Sequence, residues 1–270
     1  MADKQRLDAA LVLRGLASSR ERAKAYIAAG MVTVNGTPAT KASQPVAETD
    51  KLVCNASEKY VGRGGYKLEK AMQDGAFDLR GRVAMDVGAS TGGFTQCLLE
   101  AGVARVYSVD VGRDQLHPTL RSDPRVVCME STDVRDRARM SAAVADGGVD
   151  FCAVDVSFIS LKLVLPAVCL YLKPGADLVC LVKPQFEAGR AAIGKRGVVR
   201  DKSEHIRVLR ALSGVWTACH LQVRRLTPSP IRGGDGNVEF LATLAYDPNR
   251  ETEPAPDAVL TNAVREAHEG

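Results

Sequence analysis

Apolar residues at the start of the chain follow a helical period. Leu7, Ala10, Leu11 and Leu13 fall on one stripe that Gly15 closes. Ser18-Ser19 reads as an N-cap, with Arg22 at the third position beyond Ser19. The helix that follows has Ala23, Tyr26 and Ile27 on its stripe and stops at Gly30. The period then changes to two. Val32 and Val34 alternate with Thr33 and Asn35, Asn35-Gly36 marks a tight turn, and 52–54 reads as a short strand. Residues 1–57 therefore predict a small α+β unit.

Glycines at 62, 64 and 65 mark 58–65 as a linker. From residue 66 strands alternate with helices, the signature of a doubly wound α/β sheet. An amphipathic helix is predicted over 67–77. Strands are predicted at 83–87, 106–110, 126–129, 149–155, 178–182, 221–226 and 239–245. Helices are predicted at 93–101, 140–145, 160–172 and 203–218, with an irregular piece at 115–121. Seven strands behind one leading helix fit a Rossmann-like methyltransferase with a seven-stranded mixed sheet better than a six-stranded dehydrogenase. This second domain spans 66–250, and 251–270 forms a tail with helical potential.

Composition narrows the class. The chain has 270 residues, of which 46% are apolar, enough for a sizeable core. The longest apolar stretch, 163–172, has ten residues and contains Pro166, too short for a membrane span. No apolar segment follows the charged start, so a cytoplasmic protein is expected. The seven cysteines show no Cys-x-x-Cys spacing. Cys97, Cys128, Cys152, Cys169 and Cys180 read as buried free thiols, and the four scattered histidines give no metal-binding pattern. Net charge is only +4, but 183–202 carries six basic residues against two acidic ones, and Lys59, Arg63, Lys67 and Lys70 form a second basic cluster. Such stretches suit a polyanion, and the loops 185–200 and 231–236 are expected to close on it.

The chemistry concentrates in Asp86-Val87-Gly88-Ala89-Ser90-Thr91-Gly92-Gly93-Phe94. An apolar strand ends in an aspartate, a Gly/Ser loop follows, and a helix opens. That arrangement offers backbone N–H groups to a ligand. The spacing departs from the dinucleotide fingerprint, and Asp86 repels a pyrophosphate while suiting the cationic methionine part of S-adenosylmethionine (SAM). Asp110, followed by Val111, ends the next strand, where a carboxylate can accept the ribose hydroxyls. Asp133 follows the third strand, where an adenine amino group can be bound. The predicted SAM-binding set is Asp86, Gly88, Ser90, Gly92, Gly93, Phe94, Asp110, Val111, Asp133 and Asp155. Asp155 and Lys183 end the fourth and fifth strands and so flank this site.

Two resemblances add to this reading. The set Arg6-Leu7-Asp8, Leu13, Gly15, Ser19-Arg20, Ala23, Ile27, Gly30 and Val34-Asn35-Gly36 is similar to the small RNA-binding domain of the fourth ribosomal small-subunit protein. It implies phosphate contacts from Arg6, Arg20, Arg22 and Lys24, to which Arg63, Arg190, Lys195 and Arg196 add basic residues of the later loops. The segments Asp86–Thr95, Asp155-Val156-Ser157-Phe158-Ile159-Ser160 and Lys183-Pro184-Gln185-Phe186-Glu187 make the whole chain resemble the TlyA family. Its members carry both hemolysin and ribosomal RNA 2′-O-methyltransferase names, and its catalytic part is similar to the FtsJ/RrmJ group.

The resemblance implies a Lys-Asp-Lys-Glu tetrad at Lys67, Asp155, Lys183 and Glu239, a SAM cofactor, and ribosomal RNA or ribosomal subunits as partner, with cytidine riboses as targets. Lys183 would contact the 2′-oxygen, either as a base or as a cation that stabilises the alkoxide. Phe158 and Phe186 are candidates for stacking on a base or for core packing. Three rival readings are weighed on sequence grounds. One is a membrane-active hemolysin, one is a non-enzymatic ribosome-binding or assembly factor that retains the fold, and the third is an enzyme acting on another nucleic acid such as tRNA, which the front domain permits.

Overall fold

The computed structural model describes residues 4–17, 19–55, 59–144, 147–189, 192–194, 197–233 and 236–269. The chain divides into two compact units, Met1–Val61 and Gly62–Gly270.

The first unit opens with β1 (Gln5–Arg6), α1 (Leu7–Leu13) and α2 (Arg20–Ala28). Ser19 caps α2 by accepting from the Arg22 backbone N–H, which satisfies one of the orphan amides of the first turn. Ser18 lies outside the described residues. Four short strands follow, β2 (Val32–Val34), β3 (Thr37–Pro38), β4 (Pro45–Val46) and β5 (Leu52–Cys54). They form a β3-β2-β5 sheet and a β1-β4 pair. Leu7, Leu11, Ala23, Ile27, Val32 and Val46 make its core.

In the second unit α3 (Gly64–Gly75) precedes β6 (Val83–Val87), α4 (Gly93–Glu100), β7 (Arg105–Val109), α5 (Pro118–Arg121), β8 (Val126–Met129), α6 (Arg137–Ala143) and β9 (Val149–Val154). Next come α7 (Leu161–Val168), β10 (Leu172–Val182), α8 (Pro184–Glu187), α9 (Lys202–Ala218), β11 (Leu221–Pro228), β12 (Phe240–Tyr246) and α10 (Asp257–Glu269). The seven strands pair in the order β11-β12-β10-β9-β6-β7-β8. Strands β10, β9, β6, β7 and β8 run parallel, whereas β12 is antiparallel to both β10 and β11. This is the Rossmann-like seven-stranded mixed sheet that the sequence predicts. The central strands are buried on both faces, as a sheet covered by helices on each side requires. Trp216, Tyr107, Phe151 and Phe240 are the largest fully buried side chains.

Two expectations are corrected here. The glycines at 64 and 65 are not linker: they open α3, and Gly93 lies against them so closely that a Cβ there would stand 2.8 Å from both Gly62 O and Gly65 N. A small residue was needed for close packing, which reads in sequence like one needed for flexibility. Cys128 and Cys169 are only partly buried, and all seven cysteines are free. Among the described residues no helix is long and apolar enough to cross a membrane.

Candidate active site

Asp86 is the penultimate residue of β6, and a buried strand can deliver a carboxylate into the sheet only where partners meet it. Asp86 is fully buried, and its Oδ2 accepts from Thr95 Oγ1 at 2.6 Å. Thr95 gives its single proton to that carboxylate, so Ser108, 2.7 Å away, donates to Thr95. The other oxygen, Oδ1, is buried without a hydrogen-bond partner among the described residues. Burial, reinforced by the nearby Asp155 charge, pushes this carboxyl up to about 7. Gly88 follows with φ +87°, and a Cβ there would stand 2.3 Å from Asp155 O, so no other residue fits.

Above this loop lies a cavity of about 390 Å³, lined by Gly88, Ser90, Asp110, Val111, Asp133 and Asp155 among others. Its volume suits a nucleoside-sized ligand. Asp110 Oδ2 accepts from the Ser90 N–H at 2.8 Å, and Oδ1 accepts from the Gly112 N–H at 2.6 Å. Both loops that frame the cavity are thus pinned by one carboxylate. Val111 is exposed at the rim. The Asp133 carboxylate is held by the Arg135 guanidinium and backbone N–H, so it faces the cavity already engaged. A smaller cavity of about 130 Å³ shares Gly88, Ser90 and Asp155 and reaches Arg63 and Phe94. Gly92 lines neither cavity. It caps α4, and its α-carbon lies against Leu116 and Leu120. Asp86 also lines neither, being buried beneath them.

A residue the sequence reading passed over holds the rim. Glu130 accepts from the N–H groups of Asp114, Gln115 and Leu116 and from Arg121, and these bonds hold its carboxyl down at about 2. Nothing in the sequence marks it except its place just after a strand end.

The sheet brings the four charged residues to one end. Val182 pairs with Phe240 across β10 and β12, so Lys183 and Glu239 leave that ladder side by side. Lys67, on the buried face of α3, meets Glu239 at 2.6 Å, both almost fully buried. Lys183 Nζ meets Asp155 Oδ1 at 2.6 Å and donates to Ser157 Oγ at 2.8 Å. Gly64, at the start of the helix that carries Lys67, has its Cβ position 3.7 Å from Asp155 Oδ2.

The two long sequence signatures close on each other. Besides the Lys183 contacts, Glu187 accepts from Ser160 Oγ at 2.6 Å and from the Leu161 N–H at 2.7 Å, an anion at the start of α7. The Phe158 and Phe186 rings lie 5.1 Å apart, with Lys183 Nζ 5.9 Å from the Phe186 ring. Core packing is overturned for Phe158. It is 91% exposed and has φ +64°, a left-handed conformation costly for a bulky residue.

In the first unit Asp8 is fully buried and takes the Arg6 guanidinium bidentately, with Arg20 as a third donor at 3.0 Å. The arginines hold its carboxyl far below the usual range. One buried carboxylate thus orients two half-exposed guanidiniums, leaving a net charge of about +1 for the triad. Arg22 lies over the Tyr26 ring, and Lys24 is exposed. Arg190, Lys195 and Arg196 lie outside the described residues. The expected lid at 185–200 is partly fixed: Pro184–Glu187 is helical, and buried Val199 donates to Asn237 Oδ1. Gly234 and Asp235 of the second expected lid lie outside the described residues.

Comparison with known proteins matches residues 60–246 to the FtsJ-like methyltransferases and residues 5–52 to the S4 domain. The chain is 43% identical over 267 residues to YqxC of Bacillus subtilis, provisionally named an rRNA methyltransferase, covering 98% of this chain and 94% of that one. It is 41% identical over 252 residues to the 16S/23S rRNA (cytidine-2′-O)-methyltransferase TlyA of Mycobacterium tuberculosis, covering 93% of each. A solved structure from Streptococcus thermophilus, provisionally named a hemolysin, superposes with a TM-score of 0.79 at 39% identity over 100% of this chain and 97% of that one.

Proposed function

The chain belongs to the TlyA family of FtsJ-like, SAM-dependent methyltransferases with an N-terminal S4 domain, and from that premise we propose that it methylates a ribose 2′-hydroxyl of ribosomal RNA, on cytidine. The observation that carries the reading is the junction of two ion pairs, Lys67–Glu239 and Lys183–Asp155, at the carboxyl ends of β9 and β10. It works beside a cavity suited to SAM, whose residues fit a cationic ligand through the unpartnered Asp86 oxygen below and the pinned Asp110 above.

SAM, when bound, supplies an electrophilic methyl group. Gly88, Ser90, Asp110 and Val111 would hold its nucleoside, and the smaller cavity its methionine part. A ribose hydroxyl is a weak nucleophile, so the chain must position it and carry its developing charge. Lys183, steadied by Asp155 and Ser157, donates to the 2′-oxygen and stabilises the negative charge that builds as the hydroxyl proton passes to solvent water. Lys67 and Glu239, locked together, fix the ribose edge. Phe158, held out over Phe186, stacks on the target base. Arg6 and Arg20 grip the RNA backbone, giving affinity and position rather than sequence choice. The enzyme acts where ribosomes are assembled, in the cytoplasm.

The test is methyl transfer from labelled SAM to ribosomal subunits lacking ribose methylation, followed by nucleoside mass spectrometry. A 2′-O-methylcytidine peak that falls by about 10²–10⁴-fold with Lys183→Ala, at unchanged SAM affinity, is expected. Label on a base, or full turnover by that variant, overturns the mechanism.

A further inference from the structure

A third cavity, of about 430 Å³, shares no lining residue with the two at the glycine loop. Its walls come from Val199 and Arg200, from Arg232 and Val238, and from His268 near the end of α10. Among the described residues, every charged or titratable side chain that lines it is basic, and no carboxylate does.

The histidine there belongs to a chain whose hydrogens are fixed by elimination. His205 is fully buried on α9, with Nε2 3.1 Å from Val199 O and Nδ1 3.1 Å from His268 Nε2. A carbonyl only accepts, so His205 Nε2 carries the hydrogen and its Nδ1 is the acceptor. His268 Nε2–H is then the donor, and His268 Nδ1 is left with a lone pair. The next proton taken up by the pair goes to that nitrogen. The charged groups facing the pair are Lys202 and Arg232 toward His268, and Asp201 and Arg232 toward His205. Burial and these cations hold both imidazoles below their ordinary range. An anion in the cavity reverses that pressure.

The walls are also tied to the catalytic end of the sheet. Asn237 Oδ1 accepts from the Val199 N–H, and Gly233 N–H donates to Asn237 O. The α-carbon of Gly233 lies so close to Glu239 that a Cβ would stand 2.1 Å from its Oε1. Arg232 therefore sits next to the segment that backs Glu239.

We propose that this cavity is a phosphate site, in which Arg200, Arg232 and the His268 Nδ1–H receive one backbone phosphate of the RNA substrate. The reading of the ligand as RNA rests on the proposed function; the anion chemistry does not. Two arginines and an imidazolium offer the charge-assisted donors that a phosphate oxygen takes. Arg232 Nη2 also reaches Ala267 O at 3.4 Å, so its competing role is to cap α10.

Imidazole ¹⁵N NMR of the full chain, titrated with pH in orthophosphate and then with an unmodified ribosomal RNA fragment, tests the site. Both ligands are expected to move the His268 transition to higher pH. Arg200→Gln, and Arg200→Gln with Arg232→Gln, should abolish the shift. The double variant should also weaken RNA binding about tenfold at unchanged SAM affinity, and lower the slope of log K against log salt by about 0.7–0.9. If His268 responds to neither ligand, the site is overturned and Arg232 is only a cap. If orthophosphate binds but RNA affinity ignores the variants, the cavity serves a free phosphate and the RNA assignment fails. RNA binding that depends on these residues in a protein that transfers no methyl group would keep this site and discard the proposed function instead.

Discussion

Lys67 Nζ and Glu239 Oε2 lie 2.6 Å apart, although 172 positions separate the two residues in the chain. Both are almost fully buried, so each neutralises the other's charge. Breaking such a pair from one side leaves an uncompensated buried charge and costs about 3–5 kcal/mol. Lys67→Met and Glu239→Leu alone should each lower the urea midpoint of the catalytic unit and abolish turnover. Lys67→Met combined with Glu239→Leu should recover most of the midpoint and none of the turnover. Recovered turnover would mean that the pair is structural only.

Asp86 is expected to trade stability for cofactor binding. Its folded carboxyl is raised to about 7 from the ordinary 3.8, so the folded protein holds a proton that the unfolded chain has lost. Between about pH 4 and 7 the stability of the cofactor-free protein therefore falls as pH rises, by a few kcal/mol in all, and levels off above 7. Asp86→Asn removes that slope. It should raise the melting temperature at pH 8 and weaken SAM binding at least tenfold. Calorimetry of the wild type at pH 6 in two buffers should show proton release when SAM binds, and proton uptake would contradict the assignment.

Phe158 is held in a left-handed conformation with its ring in solvent. Such strain costs about 1–3 kcal/mol, while glycine loses about 0.5–1 kcal/mol more chain entropy on folding. Phe158→Gly should accordingly melt no lower than the wild type. If the ring stacks on the target base, kcat/KM for RNA should drop about tenfold or more, since such stacking is worth about 1–3 kcal/mol per base. A lower melting temperature with unchanged kcat/KM would return Phe158 to a packing role.

Arg20 is aimed by Asp8 rather than left to swing. Arg20→Gln should reduce the salt slope of RNA binding by about 0.7–0.9, the loss of one phosphate contact, and leave SAM affinity alone. Asp8→Asn keeps both arginines but frees them. It should weaken RNA binding several-fold despite the gain in net positive charge. Tighter binding by Asp8→Asn would show that bulk charge, not orientation, sets the affinity.

How far these features could be read from the chain depends on their range. Strands at 83–87 and 126–129 have the predicted bounds, because apolar runs closed by turn residues are local signals. The Ser19 cap and the Asp86 loop were legible for the same reason. Lys67 and Glu239 were picked out only by resemblance, since no local period ties a helix to the last strand. His205 and His268 looked scattered, yet α9 and α10 bring them to 3.1 Å. The exposure of Phe158 was hidden because an apolar motif residue next to a strand end ordinarily packs inward.

The strand order has a consequence in time. β12 is made after β11 but lies between β10 and β11, and it carries Glu239 at its threshold. On the nascent chain, then, β10 has a bare edge and Lys67 lacks Glu239 until the 172 positions that separate the two have been made. The S4 unit, which ends at Val61, is complete well before that. A newborn molecule would thus be able to hold RNA well before it was able to modify it, and the final strand would act as the latch that turns a binder into an enzyme.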